Sequence, residues 1–571
     1  MTEWNAIDEL AVIVEQIEAA PELERLRSLD DKFSVVDKGT CEAILGEAAR
    51  FSEEYLSPLN ASADKAGCIL RDGKVTTPTG FSSAWKEFVK GGWPTLDHPV
   101  EQGGQDLPLF LSVSVQQLID SSCTALGMLP VLQRSAARLL AAYGAPWMKE
   151  QWLPQLVSGE WGATICISEA DAGSDVARIR TRAEPCEDGS WSITGEKMWI
   201  SFGDHDLTPR IGHCLLAKTN NGGLSLFLVP DRFESPGGEL VENTIVVRRV
   251  EEKLGLHGSP TCALGFEQAK GWLIGTEGRG LAQMFVMITN MRLSAGIQGL
   301  SLASLSASVA LNYARQRRQG GDLTEPPLMI VEHADVQRQL LEMVSQVEVL
   351  RGLGVALAIQ VDLVNYETDA DRKKSSSALL QWLLPIFKTL GGEAGFDVAS
   401  KAIQVLGGAG YTREWPVEQA LRDSRIFTIY EGTTGIQALD LVHRRLWRDG
   451  GTGLNEFITI AQADLDRCDE VHGRPMAKCL VLLQDAANFM LEQQGTALEA
   501  ESGATAFLHL AGLAATGWIA TRLVMLEQKN PALTRLYTAG AYWLAGLEEH
   551  ATLFHAQAIK GAEHLKLSIN L

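Results

Sequence analysis

The amino-acid sequence predicts a mainly α-helical protein with one central β domain. From residue 38 to 157, and again after Gly280, apolar residues recur three and four positions apart, which is the period of helices that face a core. Between residues 162 and 280 the period changes, and short runs such as "WSITG", "KMWIS", "HCLLAK" and "LSLFLVP", each predicted to form a strand, alternate with turn signals such as "DGS" and "NNGG". A chain of 571 residues is too long for one ordinary core, so we expect several packed domains.

Four domains are predicted, in the order α, β, α and α. They cover residues 1–160, 161–280, 281–447 and 448–571. The helical segments after residue 280 are too long for separate globular helices, so we expect them to pack lengthwise in a bundle. The glycine-rich break "DGGTGLNEF" separates this bundle from the last helical block. A ligand is expected at a domain junction, where concave sites commonly form.

The composition argues against several classes of function. A net charge of -21 opposes nonspecific binding to nucleic acid or to an anionic membrane. The nine cysteines include no CxxC pair and no metal-ligand spacing, so we expect reduced cytoplasmic thiols and no metal site. The N-terminal segment lacks the basic and continuous apolar regions of a signal peptide. The run from residue 503 to 521 contains His509 and several glycines, so we expect a buried helix and no membrane span.

Common nucleotide and catalytic motifs do not appear in a suitable context. Neither GxGxxG after a first strand nor GxxxxGK[ST] is present, which argues against nicotinamide and ATP. The chain also lacks HExxH and GxSxG, so neither a zinc protease nor a serine hydrolase is indicated.

Two neighbouring stretches of the β domain combine small polar residues with an aromatic plane. The stretch "ICISEADAGSD" carries Ser168, Gly173 and Ser174, and "KMWISFG" carries Trp199 and Ser201. Hydroxyls, and glycines that allow close backbone approach, suit the face of a flat ring with polar edges. By themselves, serines and glycines of this kind are also typical of hairpin turns, and a tryptophan in a strand is typical of a core.

Four segments in this order resemble the acyl-CoA dehydrogenase family of FAD flavoproteins. They are "SEADAGSD" with "MWISFG", "YARQRRQG", "QVLGGAGY" and "RDSRIFTIYEGTTGIQ", and the likeness runs from about residue 40 to 447. The resemblance implies a helical N-terminal domain, a β-barrel-like middle domain and a four-helix bundle, here followed by an extra helical domain. It also implies α,β-desaturation of an acyl-CoA thioester to a trans-2-enoyl-CoA, as in the β-oxidation of fatty acids.

The resemblance assigns the cofactor and substrate contacts position by position. The implied FAD contacts are Ile167, Ser168, Gly173, Ser174, Trp199, Ser201, Arg317, Gln404, Gly407, Gly408 and Thr433. The implied substrate contacts are Ser174, Arg292, Tyr430 and Gly432. The arginine at 317 and the segment 404–408 are implied to reach the FAD of a neighbouring subunit, so we expect a homodimer or a dimer of dimers. Without the resemblance, "RQRR" is typical of a solvated helix end.

Glu431 matches the catalytic base of the family. A carboxylate partly shielded by Tyr430 loses solvation, so its basicity rises toward what α-proton abstraction needs. The alternative interpretation is an acidic N-cap region of a surface helix. Some relatives carry the base beside an arginine that matches Arg292, but the two residues before it here are Asn290 and Met291, which are no bases. Glu431 is therefore the single candidate.

Within the family, the sequence is similar to the larger bacterial type represented by 3-methylmercaptopropionyl-CoA dehydrogenase. The signs are "SGEWGATICISEADAGSD", "EEKLGLHGSPTC" and a C-terminal extension of about 120 residues. Ala170 departs from the usual proline in the active-site loop. The resemblance implies a cytoplasmic enzyme of bacteria that passes its electrons to electron-transfer flavoprotein. The alternatives are an acyl-CoA oxidase or a related flavoenzyme on the same fold, such as one that acts on a nitroalkane or a sulfinate, and a non-catalytic acyl-CoA-binding scaffold.

Overall fold

A central sheet separates two long helical stretches of the chain, and this order confirms the predicted fold class. The computed structural model describes residues 5–221, 223–235 and 237–566. By proximity of Cα atoms the chain divides into two compact units. Unit 1 comprises residues 1–50, 108–121 and 292–571, and unit 2 comprises residues 51–107 and 122–291. This division differs from the four predicted domains, whose boundaries stay a prediction.

From Ala6 to Ser158 the described residues form nine α-helices and one small β-hairpin. The helices are α1 (Ala6–Glu18), α2 (Glu22–Leu29), α3 (Asp31–Ser34), α4 (Lys38–Phe51), α5 (Ser57–Ala66), α6 (Phe81–Lys90), α7 (Leu109–Tyr143), α8 (Pro146–Gln151) and α9 (Leu153–Ser158). The hairpin, β1 (Ile69–Arg71) and β2 (Lys74–Thr76), was not predicted. Its Asp72-Gly73 turn has two positive φ angles, 51° and 76°, as a two-residue hairpin turn requires.

The sheet of unit 2 closes on itself, as the expected β-barrel-like domain requires. Its strands are β3 (Gly162–Cys166), β4 (Arg182–Pro185), β5 (Trp191–Ser201), β6 (Ile211–Lys218), β7 (Leu224–Pro230), β10 (Ile245–Val250) and β11 (Thr261–Ile274). The two short strands β8 (Arg232–Glu234) and β9 (Leu240–Glu242) pair with each other in a separate hairpin. Strand β7 pairs with both β6 and β11, which completes a ring through β5 and β4. Its apolar interior includes Ile193, Leu215, Phe227 and Phe266. The runs "WSITG" and "KMWIS" form one strand, β5, where the sequence predicted two.

From Gly280 onward the described residues contain ten further α-helices, which form the second helical stretch. They are α10 (Gly280–Ala314), α11 (Ala334–Tyr366), α12 (Ala370–Leu406), α13 (Pro416–Ser424) and α14 (Thr434–Val442), followed by α15 (Thr452–Leu465), α16 (Glu470–Glu492), α17 (Ala497–Leu523), α18 (Pro531–Ala545) and α19 (Leu547–Ala558). Two of these, α10 and α17, are long and apolar enough to cross a membrane, but their most apolar windows are largely buried inside the structure. The run 503–521 therefore lies in a buried helix, as expected.

Glycines let α10 and α12 cross closely in unit 1. A Cβ atom on Gly299 of α10 would lie 2.0 Å from the carbonyl oxygen of Gly391 of α12, and one on Gly391 would lie 2.3 Å from that of Gly296. No larger side chain fits either position without moving backbone. The crossing places Arg292 of α10 and Lys388 of α12 near the segment that leads into α14.

Candidate active site

Glu431 lies on a tight turn directly before helix α14. Its φ is 57° and that of the next residue, Gly432, is 94°, so two consecutive residues adopt the left-handed conformation. Such a conformation is uncommon for a residue with a side chain and is retained only when the surroundings fix it. The carboxylate side chain is half-buried. The turn therefore aims one acidic side chain in a defined direction.

Two side chains from neighbouring helices hold this turn. The ammonium of Lys388 donates to the carbonyl of Gly432 over 2.8 Å. The amide of Gln437 donates to the carbonyl of Glu431 over 2.9 Å and to that of Gly432 over 3.3 Å. The φ of Gly432 favours glycine, and a Cβ there would lie 2.7 Å from the Gln437 amide nitrogen, so it would also displace this amide. The predicted role of Gly432 beside the substrate stays a prediction.

The environment of Glu431 favours a base. Burial raises the pKa of its carboxyl above the usual range, and the positive charges of Arg292 and Lys388 oppose that rise. Arg292 is buried and forms an ion pair with Asp440 of α14, with 2.7 Å between Nη1 and Oδ2. Partial desolvation therefore raises the basicity of the Glu431 carboxylate, while the nearby cations favour its ionised form.

Tyr430 forms a hydrogen bond to a side chain of helix α10. Its hydroxyl donates to the side-chain oxygen of Gln298, and burial together with the carboxylates of Glu431 and Asp120 raises the pKa of the phenol well above its usual value. The phenol is therefore neutral, and its hydrogen bond holds the ring in place beside the Glu431 carboxylate.

Helix α14 begins at Thr434, and its N-cap is Thr433. The hydroxyl of Thr433 accepts from the backbone N–H of Ile436 over 3.4 Å. Glu431 lies two residues before the cap, and its φ differs from the extended conformation that caps adopt. The interpretation of Glu431 as an acidic N-cap therefore has no support in the geometry.

The predicted contacts in unit 2 lie on two adjoining segments. Ile167 and Ser168 follow β3, and Trp199 and Ser201 end β5. The backbone N–H of Met198 donates to the carbonyl of Ser168 over 2.9 Å, which joins the two segments. The structure thus brings these four predicted residues together.

A buried ion pair fixes the same two segments. Lys197 is fully buried, and its ammonium donates to the carbonyl of Ile167 over 2.9 Å and to the carboxylate of Glu169 over 2.8 Å. The Glu169 carboxylate also accepts from the backbone N–H groups of Arg180 and Thr181. The lysine and the acid were both missed from the sequence, because their contact is defined by the sheet.

The shape of this region suits a flat aromatic cofactor. Trp199 has a φ of 62°, and 58% of its surface is exposed, although it lies within a strand. A Cβ on Gly173 would meet nothing within 4 Å, so the backbone there is open to close approach. An exposed apolar plane beside hydroxyls and open backbone fits the ring system of FAD. Ser174 is exposed on the same loop as Gly173.

The remaining predicted FAD contacts lie elsewhere in unit 1. Arg317 lies just after the end of α10. Measured along the helix axis, it is about 35 Å from Arg292. Gln404 lies in the last turn of α12, and Gly407 and Gly408 follow this helix in an exposed segment where a Cβ would meet nothing within 4 Å. The structure therefore does not bring these four residues together with Glu431. Their exposure and open backbone fit a ligand tail that carries phosphates.

Three residues near Glu431 were missed by the sequence analysis. Gln437 ends the motif "RDSRIFTIYEGTTGIQ" and Asp440 lies three residues beyond it, but nothing in their spacing distinguishes them from helix-surface residues. Lys388 had a visible signal: it is the single charged residue in the apolar run "WLLPIFKTL". A charge at such a position is uncommon unless it is paired.

Models of acyl-CoA dehydrogenase domains match most of the chain. The N-terminal domain matches residues 39–160, the middle domain residues 164–269 and the C-terminal domain residues 278–446. The 3-methylmercaptopropionyl-CoA dehydrogenase of Ruegeria pomeroyi is 34% identical over 534 residues, which are 91% of this chain and 90% of the relative. The broad-specificity linear acyl-CoA dehydrogenase FadE5 of Mycobacterium tuberculosis is 34% identical over 452 residues, 74% and 72% of the two chains.

Solved structures share the fold. An acyl-CoA dehydrogenase of Bacillus anthracis, solved in complex with FAD, has a TM-score of 0.76 at 19% identity and covers 91% of this chain and 88% of its own. ACDH-11 of Caenorhabditis elegans, in complex with C11-CoA, has a TM-score of 0.75 at 19% identity, with coverage of 91% and 89%. At this identity the likeness concerns the fold alone.

Proposed function

The chain belongs to the acyl-CoA dehydrogenase family, and on this premise we propose that it desaturates an acyl-CoA thioester to the trans-2-enoyl-CoA with FAD as cofactor. The observation that carries the proposal is the turn at residue 431. It presents a half-buried carboxylate of raised pKa between two cations, in front of a helix start. This is the arrangement that abstraction of a weakly acidic α-proton needs.

Glu431 takes the α-proton of the thioester. The fixed turn reduces the motion needed to reach the C–H bond, so part of the barrier is overcome by positioning. The exposed backbone N–H groups at the start of α14 favour negative charge at the thioester carbonyl as the proton leaves. FAD, when bound, supplies the acceptor for the hydrogen of the β-carbon and its electron pair.

The residues proposed to hold FAD form two groups. Ile167, Ser168, Trp199 and Ser201, with the loop of Gly173 and Ser174, suit the ring system. Arg317, Gln404, Gly407 and Gly408 suit the diphosphate and adenosine of the FAD in a neighbouring subunit, because they lie far along α10 and α12 from Glu431. Thr433 is engaged as the N-cap of α14, and its proposed cofactor contact would add to that role.

The proposal is tested by anaerobic mixing of the FAD-loaded protein with an acyl-CoA. Wild type is expected to lose flavin absorbance, and Glu431→Gln is expected to do so roughly 10²- to 10⁴-fold more slowly. Glu492→Gln, at the exposed end of α16, is the matched control and is expected to react as wild type. A Glu431→Gln variant that bleaches flavin at the wild-type rate would contradict the assignment.

The proposed substrate is a short acyl-CoA with a thioether in the chain. Support comes from the relative that covers 91% of this chain, which is named for 3-methylmercaptopropionyl-CoA. FadE5, named for linear acyl groups, supports straight chains as the second candidate. Flavin-reduction rates over a panel from propionyl-CoA to palmitoyl-CoA, with methylthiopropionyl-CoA included, decide between them.

We also propose a homo-oligomeric assembly, a cytoplasmic location and electron-transfer flavoprotein as the electron acceptor. One solved structure of similar fold is titled for the electron transferring flavoprotein of Acidaminococcus fermentans. Light scattering is expected to give a mass of at least twice 62.0 kDa. A high peroxide yield under air would favour an oxidase instead.

A further inference from the structure

Lys388 is a fully buried lysine in the middle of α12. Its exposed fraction is 0%, and apolar side chains such as Ile386 and Phe387 surround it in the sequence. Burying an ammonium is costly unless it gains partners inside the protein. The position therefore calls for a functional or structural reason.

The partners of Lys388 belong to the turn that carries the proposed base. Its ammonium donates to the carbonyl of Gly432 over 2.8 Å and lies 6.0 Å from the centre of the Tyr430 ring. Three charged groups face it: Glu431 on the turn, Arg292 on α10 and Glu393 on α12 itself. The first and third attract the ammonium, and the arginine repels it.

This geometry has two consequences for Glu431. The hydrogen bond fixes the backbone at Gly432, directly after the base. Glu431 and Gly432 both have left-handed φ angles, and a rotation of this backbone would redirect the Glu431 carboxylate. The positive charge stabilises the carboxylate over the carboxylic acid. Both effects act on the carboxylate without any contact between the lysine and a substrate.

We propose that Lys388 is a positioning residue for the reaction: its ammonium, bound to the Gly432 carbonyl, orients the Glu431 carboxylate and keeps it ionised. The inference rests on the proposed function, in which Glu431 is the base. Burial lowers the pKa of Lys388 to about 8, so the ammonium form prevails at neutral pH and is lost above it.

The test compares Lys388→Met and Lys388→Arg with the control Lys401→Met. Lys401 lies on the same helix, half-exposed and paired with Glu342. Lys388→Met is expected to lower kcat about 10- to 100-fold with KM changed less than about threefold, because the base is misaligned rather than the substrate site removed. In the Lys388→Met variant, the acid limb of the pH profile of kcat/KM is expected to move to higher pH, because the Glu431 carboxylate has lost a nearby cation.

Lys388→Arg separates charge from mere packing. Arginine does not deprotonate below about pH 12, so this variant is expected to keep activity above pH 8, where wild type loses it. If Lys388→Met does not fold, this alkaline limb carries the test. The proposal is overturned if Lys388→Met has the same kcat as Lys401→Met and its acid limb lies at the same pH. It is also overturned if the kcat of wild type stays constant from pH 7 to 10.

Failure of the proposed function gives a different result. If Glu431→Gln is as active as wild type, or no acyl-CoA reduces the flavin, the assignment of the base is wrong. If Glu431→Gln is inactive while the lysine variants behave as the control, the base stands and the role of Lys388 does not.

Discussion

The imidazole of His509 lies 3.0 Å from the carboxylate of Glu393, and this pair joins the C-terminal extension to helix α12. Glu393 also accepts from the hydroxyl of Thr434, the first residue of α14, over 3.3 Å. Helix α17 also places Phe507 edge-on against Trp382 of α12. The extension thus supports the helices that carry the turn at residue 431.

We expect His509→Ala to weaken this support only slightly. The pair is partly exposed, so its direct contribution is about 0.5 kcal/mol. A double-mutant cycle with Glu393→Gln, followed by chemical unfolding, is expected to give a coupling energy below about 1 kcal/mol. A coupling of several kcal/mol would mean that the pair acts as a buried one.

A buried charge network in unit 1 is expected to matter far more. Glu9 of α1 accepts from Arg351 of α11 over 2.6 Å, and Arg535 of α18 lies 2.6 Å from Glu348. Arg351→Met leaves two buried carboxylates with fewer partners, so we expect a loss of about 3–5 kcal/mol in the free energy of unfolding. Arg50→Met, at an exposed pair on α4, is the control and is expected to cost less than about 1 kcal/mol.

Acid should release the stabilisation that Glu9 provides. Its pKa is lowered to about 2 by the charges of Arg535 and Arg351, which outweigh its burial. A carboxyl whose pKa is depressed in the folded state stabilises the fold above its unfolded pKa of about 4.5, and this is lost as pH falls toward 2. Unfolding curves of wild type are expected to lose more stability between pH 5 and pH 2 than those of Glu9→Gln. Equal losses would contradict this role.

Removal of the Lys197 ammonium is expected to weaken FAD binding. The lysine joins the Ile167 carbonyl to Glu169, so Lys197→Met frees the two segments proposed to hold the ring. Titration of the apoprotein with FAD is expected to show an increase of about tenfold or more in Kd, roughly the loss of one buried charged hydrogen bond. Lys270→Met, at a partly exposed ion pair on β11, is the control. Equal affinities of the two variants would rule this role out.

Local patterns predicted most of the fold, because helix and strand periods are properties of neighbouring residues. The hairpin at Asp72-Gly73 was missed although its turn chemistry was visible, and β5 was divided at Gly195 although the strand continues through it. The candidate base was identified from one motif. Its support by Lys388 was not, since that contact joins residues 44 positions apart and exists only after α12 packs on the turn.

Exchange of the α-hydrogens of an acyl-CoA with deuterium from D2O tests the central claim most directly. Under anaerobic conditions the FAD-loaded wild type is expected to catalyse this exchange, and Glu431→Gln is expected to slow it roughly 10²- to 10⁴-fold while still binding FAD. Exchange at the wild-type rate in the folded, FAD-bound Glu431→Gln variant would show that another group takes the proton.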